Sequence, residues 1–199
     1  MLKKIMLNVY MVALGLGVAF SSQAIAADKY EIDLVHSNIG FGVKHLTVST
    51  VTGNFKDYAG TIEFDPKDAS AFKADVTIQA SSISTNNEAR DNHLRSADFF
   101  DAEKFPIITF QSKKLEQNGE GYILTGDLTV KGVTKEVSIP VGIAGPVAHP
   151  MGGTVIGLGG QVVINRQDYG VSWNKTLDTG GMVVDNNVTI SVEIEAHKK

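Results

Sequence analysis

The chain is written in short alternating segments. Near its C-terminal end Val188, Ile190, Val192 and Ile194 fall on one side of an extended strand, and Thr189, Ser191, Glu193 and Glu195 fall on the other. Ala74, Val76, Ile78 and Ala80 alternate with Lys73, Asp75, Thr77 and Gln79, and Val137, Ile139, Val141 and Ile143 repeat the pattern mid-chain. Successive side chains of a strand point to opposite faces, so a period of two marks strands with one buried face. Weaker segments of this kind begin at Tyr30, Ile39, Thr52, Thr61, Ile107, Tyr122 and Thr154. Asn118-Gly119 and Lys131-Gly132 sit between apolar runs, where hairpin turns belong. The pattern predicts roughly eight to ten short strands with little helix between them. Tight turns pair neighbours antiparallel, and so many antiparallel strands close as a barrel or pack as a sandwich. With no internal repeat and no linker, one all-β domain is expected.

One segment breaks the alternation. Thr85-Asn86-Asn87-Glu88 fits a capping box, with the Thr85 hydroxyl satisfying a free amide and Glu88 reaching back. Asp91 and Arg95 lie four apart, the spacing of a pair on one helix face. Phe105-Pro106 ends the helical stretch, because proline disfavours helix in the residue before it. The expectation is a short helical insertion near residues 86–104, anchored by Leu94, Phe99, Phe100 and Phe105.

Composition adds a compartment. Lys3 and Lys4 precede the apolar run Ile5 to Phe20, and Ala24-Ile25-Ala26 supplies a small-residue cleavage site. That is the layout of a secretory leader over residues 1–26, leaving residues 27–199 as the domain and cleavage near Ala26. Without Lys3 and Lys4, 16 basic residues face 22 acidic ones, a formal charge of −6. An acidic domain without a basic stripe is a poor nucleic-acid binder. The absence of cysteine excludes disulfides, thiolate nucleophiles and thiolate metal sites.

Candidate chemistry is sparse. Arg90, Asp91 and His93 offer an acid–base set, but adjacent helical residues diverge by about 100°. Arg90 and Asp91 read more simply as structural residues at a barrel rim. His36 and His45 stand at opposite ends of an extended run of roughly 30 Å, too far to share an ion, and no His-x-Glu-x-His spacing appears, so no metal is expected. There is no Gly-x-Ser-x-Gly, and Gly157-Leu158-Gly159-Gly160 lacks the lysine of a phosphate loop. No catalytic residue and no cofactor are expected.

What remains is a large apolar face. The alternation assigns Ile39, Phe41, Val43, Ile62, Phe64, Val76, Ile78, Ile108, Phe110, Leu124, Leu128, Ile139, Val141, Val162, Ile164, Ile190 and Val192 to the interior. A closed barrel of about eight strands either fills with side chains or holds one small ligand, and periodicity does not separate the two. A lipid carrier, an enzyme acting on such a lipid and a packed structural barrel all remain open.

Four blocks in order sharpen this. "IDLVHSNIGFGVKHLTVSTVTGNF", "RDNHLRSADFFDAEKFPIITF", "GDLTVKGVTKEV" and "INRQDYGV" resemble the YceI family of polyisoprenoid-binding proteins, with Tyr169 where phenylalanine is common. The resemblance spans nearly the whole domain. It implies an extended antiparallel lipocalin-like β-barrel whose apolar lumen holds a polyisoprenoid, an isoprenoid quinone or a similar long-chain amphiphilic lipid, in the periplasm. It implies binding rather than catalysis. It also suggests a cytochrome b561-type membrane protein as a partner, and leaves monomer or homodimer open. Arg90 and Asp91 would tie the insertion to the barrel, and Phe99 and Phe100 would cover one end of it.

Overall fold

The computed structural model describes residues 27–176 and 181–199. The leader expected at residues 1–26 lies outside the described residues. The strands are β1 (Asp28–Ile32), β2 (Asn38–His45), β3 (Ser49–Phe55), β4 (Tyr58–Asp65), β5 (Asp68–Gln79), β6 (Ile83–Ser84), β7 (Ile107–Asn118), β8 (Gly121–Val130), β9 (Val133–Ala148), β10 (Thr154–Asn165) and β11 (Val184–Lys198). One helix, α1 (Glu88–Arg95), lies between β6 and β7. The alternating segments of the sequence lie in strands; the pattern left barrel or sandwich open, and the fold is the antiparallel barrel that the family resemblance implies.

Eight strands close the ring in the order β1-β4-β5-β7-β8-β9-β10-β11, and β11 pairs back to β1. Closure removes the free edges that would otherwise template aggregation. The last strand does double duty. Its end pairs with β1 (Ala196 with Ile32, Lys198 with Tyr30), and its earlier residues pair with β2 (Val192 with Ile39, Ile190 with Phe41). So β1 and β2 share one edge of β11, and the chain between them crosses at the junction. Beyond β2, β3 and the two-residue β6 extend the wall.

Turn chemistry fixes the register where it was expected. Lys131 and Gly132 both have positive φ, 50° and 75°, the requirement of a type I′ hairpin turn between β8 and β9. A Cβ on Gly132 would lie 2.7 Å from the Phe105 ring, so the turn also serves as a seat for the insertion.

The interior divides into two halves. Around β1 and the end of β11 it is solid, built from Tyr30, Ile62, Phe64, Phe72, Leu115, Leu124, Ile139, Val141, Ile156, Leu158, Ile194 and Ala196. Phe64 and Phe72 meet edge to face there, with centroids 6.3 Å apart. Around β2, β3 and the start of β11 the walls do not meet, and the insertion covers the gap.

The insertion begins later than the capping box predicts. Its N-cap is Asn87, whose side-chain oxygen accepts a hydrogen bond from Arg90 N at 3.0 Å. Asn86 takes the left-handed conformation (φ 58°), which turns the chain and moves Thr85 out of the cap. Thr85 instead donates its backbone N–H to Asp91 Oδ1 at 2.8 Å, and its hydroxyl donates to the same oxygen. Asp91 therefore does not pair with Arg95. Arg95 reaches the carbonyls of Ser81 and Ile83 at 2.7 and 3.0 Å, tying α1 to the segment before it.

Candidate functional site: an apolar cavity under the helical insertion

The open half of the barrel encloses a cavity of about 330 Å³. That is at the lower end of the roughly 300–1,000 Å³ typical of small-molecule sites. Strand β2 contributes Ile39, Phe41 and Val43, β10 contributes Ile164, and β11 contributes Val188 and Ile190. The opposite wall is Ile78 of β5, Ile108 of β7 and Leu128 of β8, and Leu94, Phe99 and Phe100 close over it. These side chains converge because each is an inward position on its strand, and paired strands keep inward positions level: Ile190 lies beside Phe41 and Val162.

The alternation does not say how deep a residue lies. Ile39, Phe41, Val43, Ile78, Ile108, Leu128, Ile164 and Ile190 line the cavity. Phe64, Leu124, Ile139 and Val141 are inward but buried in the solid half. Val76, Phe110, Val162 and Val192 are half-buried and pack against the core cluster, outside the cavity wall.

The loop after β10 supplies wall residues that the periodicity missed. Tyr169, Val171 and Trp173 line the cavity, and Trp173 meets the His93 ring edge-on at 5.0 Å and Phe99 at 5.2 Å. His93 also meets Phe99 at 5.0 Å, so three rings form one lid cluster. Arg166 holds this loop. It is only 5% exposed, and its guanidinium donates to the carbonyls of Asp185, Val171 and Trp173 at 2.8–2.9 Å. Burial pulls its pKa down from the usual value, while the nearby Asp185 opposes that shift. The signal in the sequence was an arginine directly after an apolar strand, inside "INRQDYGV".

Arg90, Asp91 and His93 do not converge. The Asp91 carboxylate is 6% exposed and turned to Thr85. Arg90 lines the cavity mouth and holds Thr85 through Nε and Nη2, at 2.7 and 2.9 Å. His93 Nε2 faces Asp98 Oδ2 at 2.8 Å. The arrangement is a brace around Thr85, with no shared point for a reacting atom. The charged and ionisable side chains on the cavity wall, Lys44, His45, Arg90, His93, Arg166 and Tyr169, include no carboxylate.

A closed eight-stranded barrel with an apolar cavity beneath a short helical insertion has room for one small apolar guest. The model of the YceI-like domain matches residues 30–196, and the chain belongs to that family. A UPF0312 protein of Staphylococcus aureus (strain N315) is 41% identical over 167 residues, covering 83% of this chain and 95% of that protein. The crystal structure of Burkholderia cenocepacia BcnA superposes with a TM-score of 0.73 at 28% identity, covering 82% of this chain and 98% of that one. A polyisoprenoid binding domain from Saccharophagus degradans shares the fold, with a TM-score of 0.66 at 17% identity over 85% of this chain and 98% of the other.

Proposed function

We propose that the protein is an exported, non-catalytic carrier that holds the chain of a polyisoprenoid or similar amphiphilic lipid in the cavity beneath the insertion. The observation that carries this is the cavity itself: about 330 Å³ walled largely by aliphatic and aromatic side chains. An unfilled apolar space forfeits dispersion contacts, so a fold that keeps one gains by filling it with a guest. Each buried square ångström of hydrocarbon contributes about 25 cal/mol, enough for part of a long prenyl or acyl chain to bind firmly. The polar end of the lipid then sits at the mouth near Lys44, His45 and Arg90, whose donors suit an oxygen-bearing head group such as a quinone, alcohol or phosphate. Membership of the YceI-like family and the polyisoprenoid binding described for the Saccharophagus degradans domain support the reading. So does the lack of a convergent acid–base set around Asp91. The leader-like sequence of residues 1–26 supports export to the periplasm, and a membrane protein of the cytochrome b561 type is a candidate donor or acceptor.

The test is mass spectrometry of an organic extract from protein purified without detergent. A stoichiometric long-chain amphiphile supports the proposal. A lipid-free extract from folded protein, together with no uptake of added polyprenol, refutes it.

A further inference from the structure

Outside the barrel, remote in sequence from the cavity lid, the crossover from β1 to β2 gathers a second set of groups. Asp33 and His36 lie in that crossover, and Glu195 and His197 lie two apart on β11, so they share its outer face. His36 Nδ1 stands 2.7 Å from Asp33 Oδ2 and 3.9 Å from Glu195 Oε1. His197 Nε2 stands 3.4 Å from the same Asp33 oxygen and 3.2 Å from the same Glu195 oxygen. One ligand atom from each of Asp33, His36 and Glu195 falls within 4.8 Å of the other two. The His149 ring, from the loop between β9 and β10, packs against His197 with centroids 5.2 Å apart. Thus three of the chain's five histidines meet at one place.

The geometry has the scale of a metal shell. Bonds of about 2.0–2.2 Å in a tetrahedron put ligand atoms about 3.3–3.6 Å apart; His36 Nδ1 stands 2.7 and 3.9 Å from the two carboxylate oxygens, and the ligand atoms of Asp33, His36 and Glu195 all lie within 4.8 Å of one another. The frame is held in place. Asp33 N donates to Glu195 O at 2.9 Å, and Glu195 N donates to Ser37 Oγ at 3.0 Å, fastening the crossover to β11. Val35 N donates to Asp33 Oδ1 at 2.8 Å, which orients the carboxylate and leaves Oδ2 for the cluster. An imidazole with two carboxylates suits zinc and its first-row neighbours. Calcium and magnesium seek all-oxygen shells and are disfavoured.

We propose that Asp33, His36 and Glu195 bind one divalent transition-metal ion of the zinc type, with His197 beside them, stapling the β1–β2 crossover to β11. The ion joins elements that share one edge of the last strand, so it resists their separation. The site is independent of lipid binding, and its test needs no lipid.

Tag-free protein, stripped with EDTA and dialysed, is titrated with zinc chloride by isothermal calorimetry, with bound metal counted by mass spectrometry. One zinc per chain is expected, with a thermal midpoint raised by zinc and unmoved by equal magnesium. His36→Gln, at a solvent-accessible position, weakens zinc binding by at least about tenfold. Glu195→Gln, which keeps size and shape, weakens it too and serves as the second variant. Absence of saturable binding at millimolar zinc overturns the proposal. So does unchanged affinity in the folded His36→Gln or Glu195→Gln protein.

Discussion

Replacing Asp91 with alanine isolates the brace that seats the lid. The carboxylate is buried and accepts two hydrogen bonds from Thr85, one from N–H at 2.8 Å and one from the hydroxyl. Thr85 is itself buried, so its amide has no ready access to water after the truncation. A buried donor without a partner costs about 1–3 kcal/mol. The hydroxyl still accepts from Arg90 Nε at 2.7 Å, so only its own proton is stranded. The two losses together come to about 2–6 kcal/mol. Asp91→Asn keeps an acceptor oxygen but gives up the charge assistance, which roughly halves such bonds, so it costs about 1–2 kcal/mol. For a domain of this size each kcal/mol moves the thermal midpoint by about 2–4 °C. Calorimetry is expected to show parent, Asp91→Asn and Asp91→Ala in descending order, with alanine lower by about 4–24 °C. In a double-mutant cycle with Thr85→Val the two sites are expected to couple, because they share the bond. An Asp91→Ala midpoint within a degree of the parent, or additive effects in the cycle, would refute the assignment of Asp91 as the structural anchor.

Other substitutions probe the two halves of the barrel separately. Phe64→Ala, in the solid half, costs about 3–5 kcal/mol in denaturant unfolding and leaves lipid uptake by the remaining folded protein intact. Val188→Trp directs the added ring into the cavity rather than into packed atoms, so it costs less than the roughly 1–3 kcal/mol of an overpacked core and abolishes uptake. Arg166→Met strands the carbonyls of Asp185, Val171 and Trp173 and lowers stability by about 3 kcal/mol or more. Arg166→Lys falls between, since an ammonium lacks the planar fork, and thermal unfolding ranks the three proteins.

The strands were legible because alternation is a direct record of which side of a sheet is buried. Val188 through Glu195 is the plainest case, and it lies inside β11. Depth was not legible. Phe64 and Ile190 are both inward, yet one fills the solid half and the other faces the cavity, a difference set by strand stagger and by where the insertion lands. The two residues of β6 carry no period at all. The capping box failed on a single left-handed residue, Asn86, which shifted the helix start two residues onward. Tyr169 ends a short 3-10 turn after β10 and Trp173 lies in the irregular chain beyond it, where no pattern assigns a face. Asp33 and His36 stand far from Glu195 and His197 in sequence, and only the pairing of β1 and β2 with one edge of β11 brings them together.

Trp173 is the chain's single tryptophan, and it stands in the cavity wall, so its emission reports directly on what occupies that space. Titration of delipidated protein with a long-chain polyprenol is predicted to shift this emission to shorter wavelength and saturate at one lipid per chain. The Val188→Trp protein, which carries its own ring in the cavity, is predicted to show no such saturation. A flat or unsaturable response in the parent protein, with the fold intact by circular dichroism, would contradict the account.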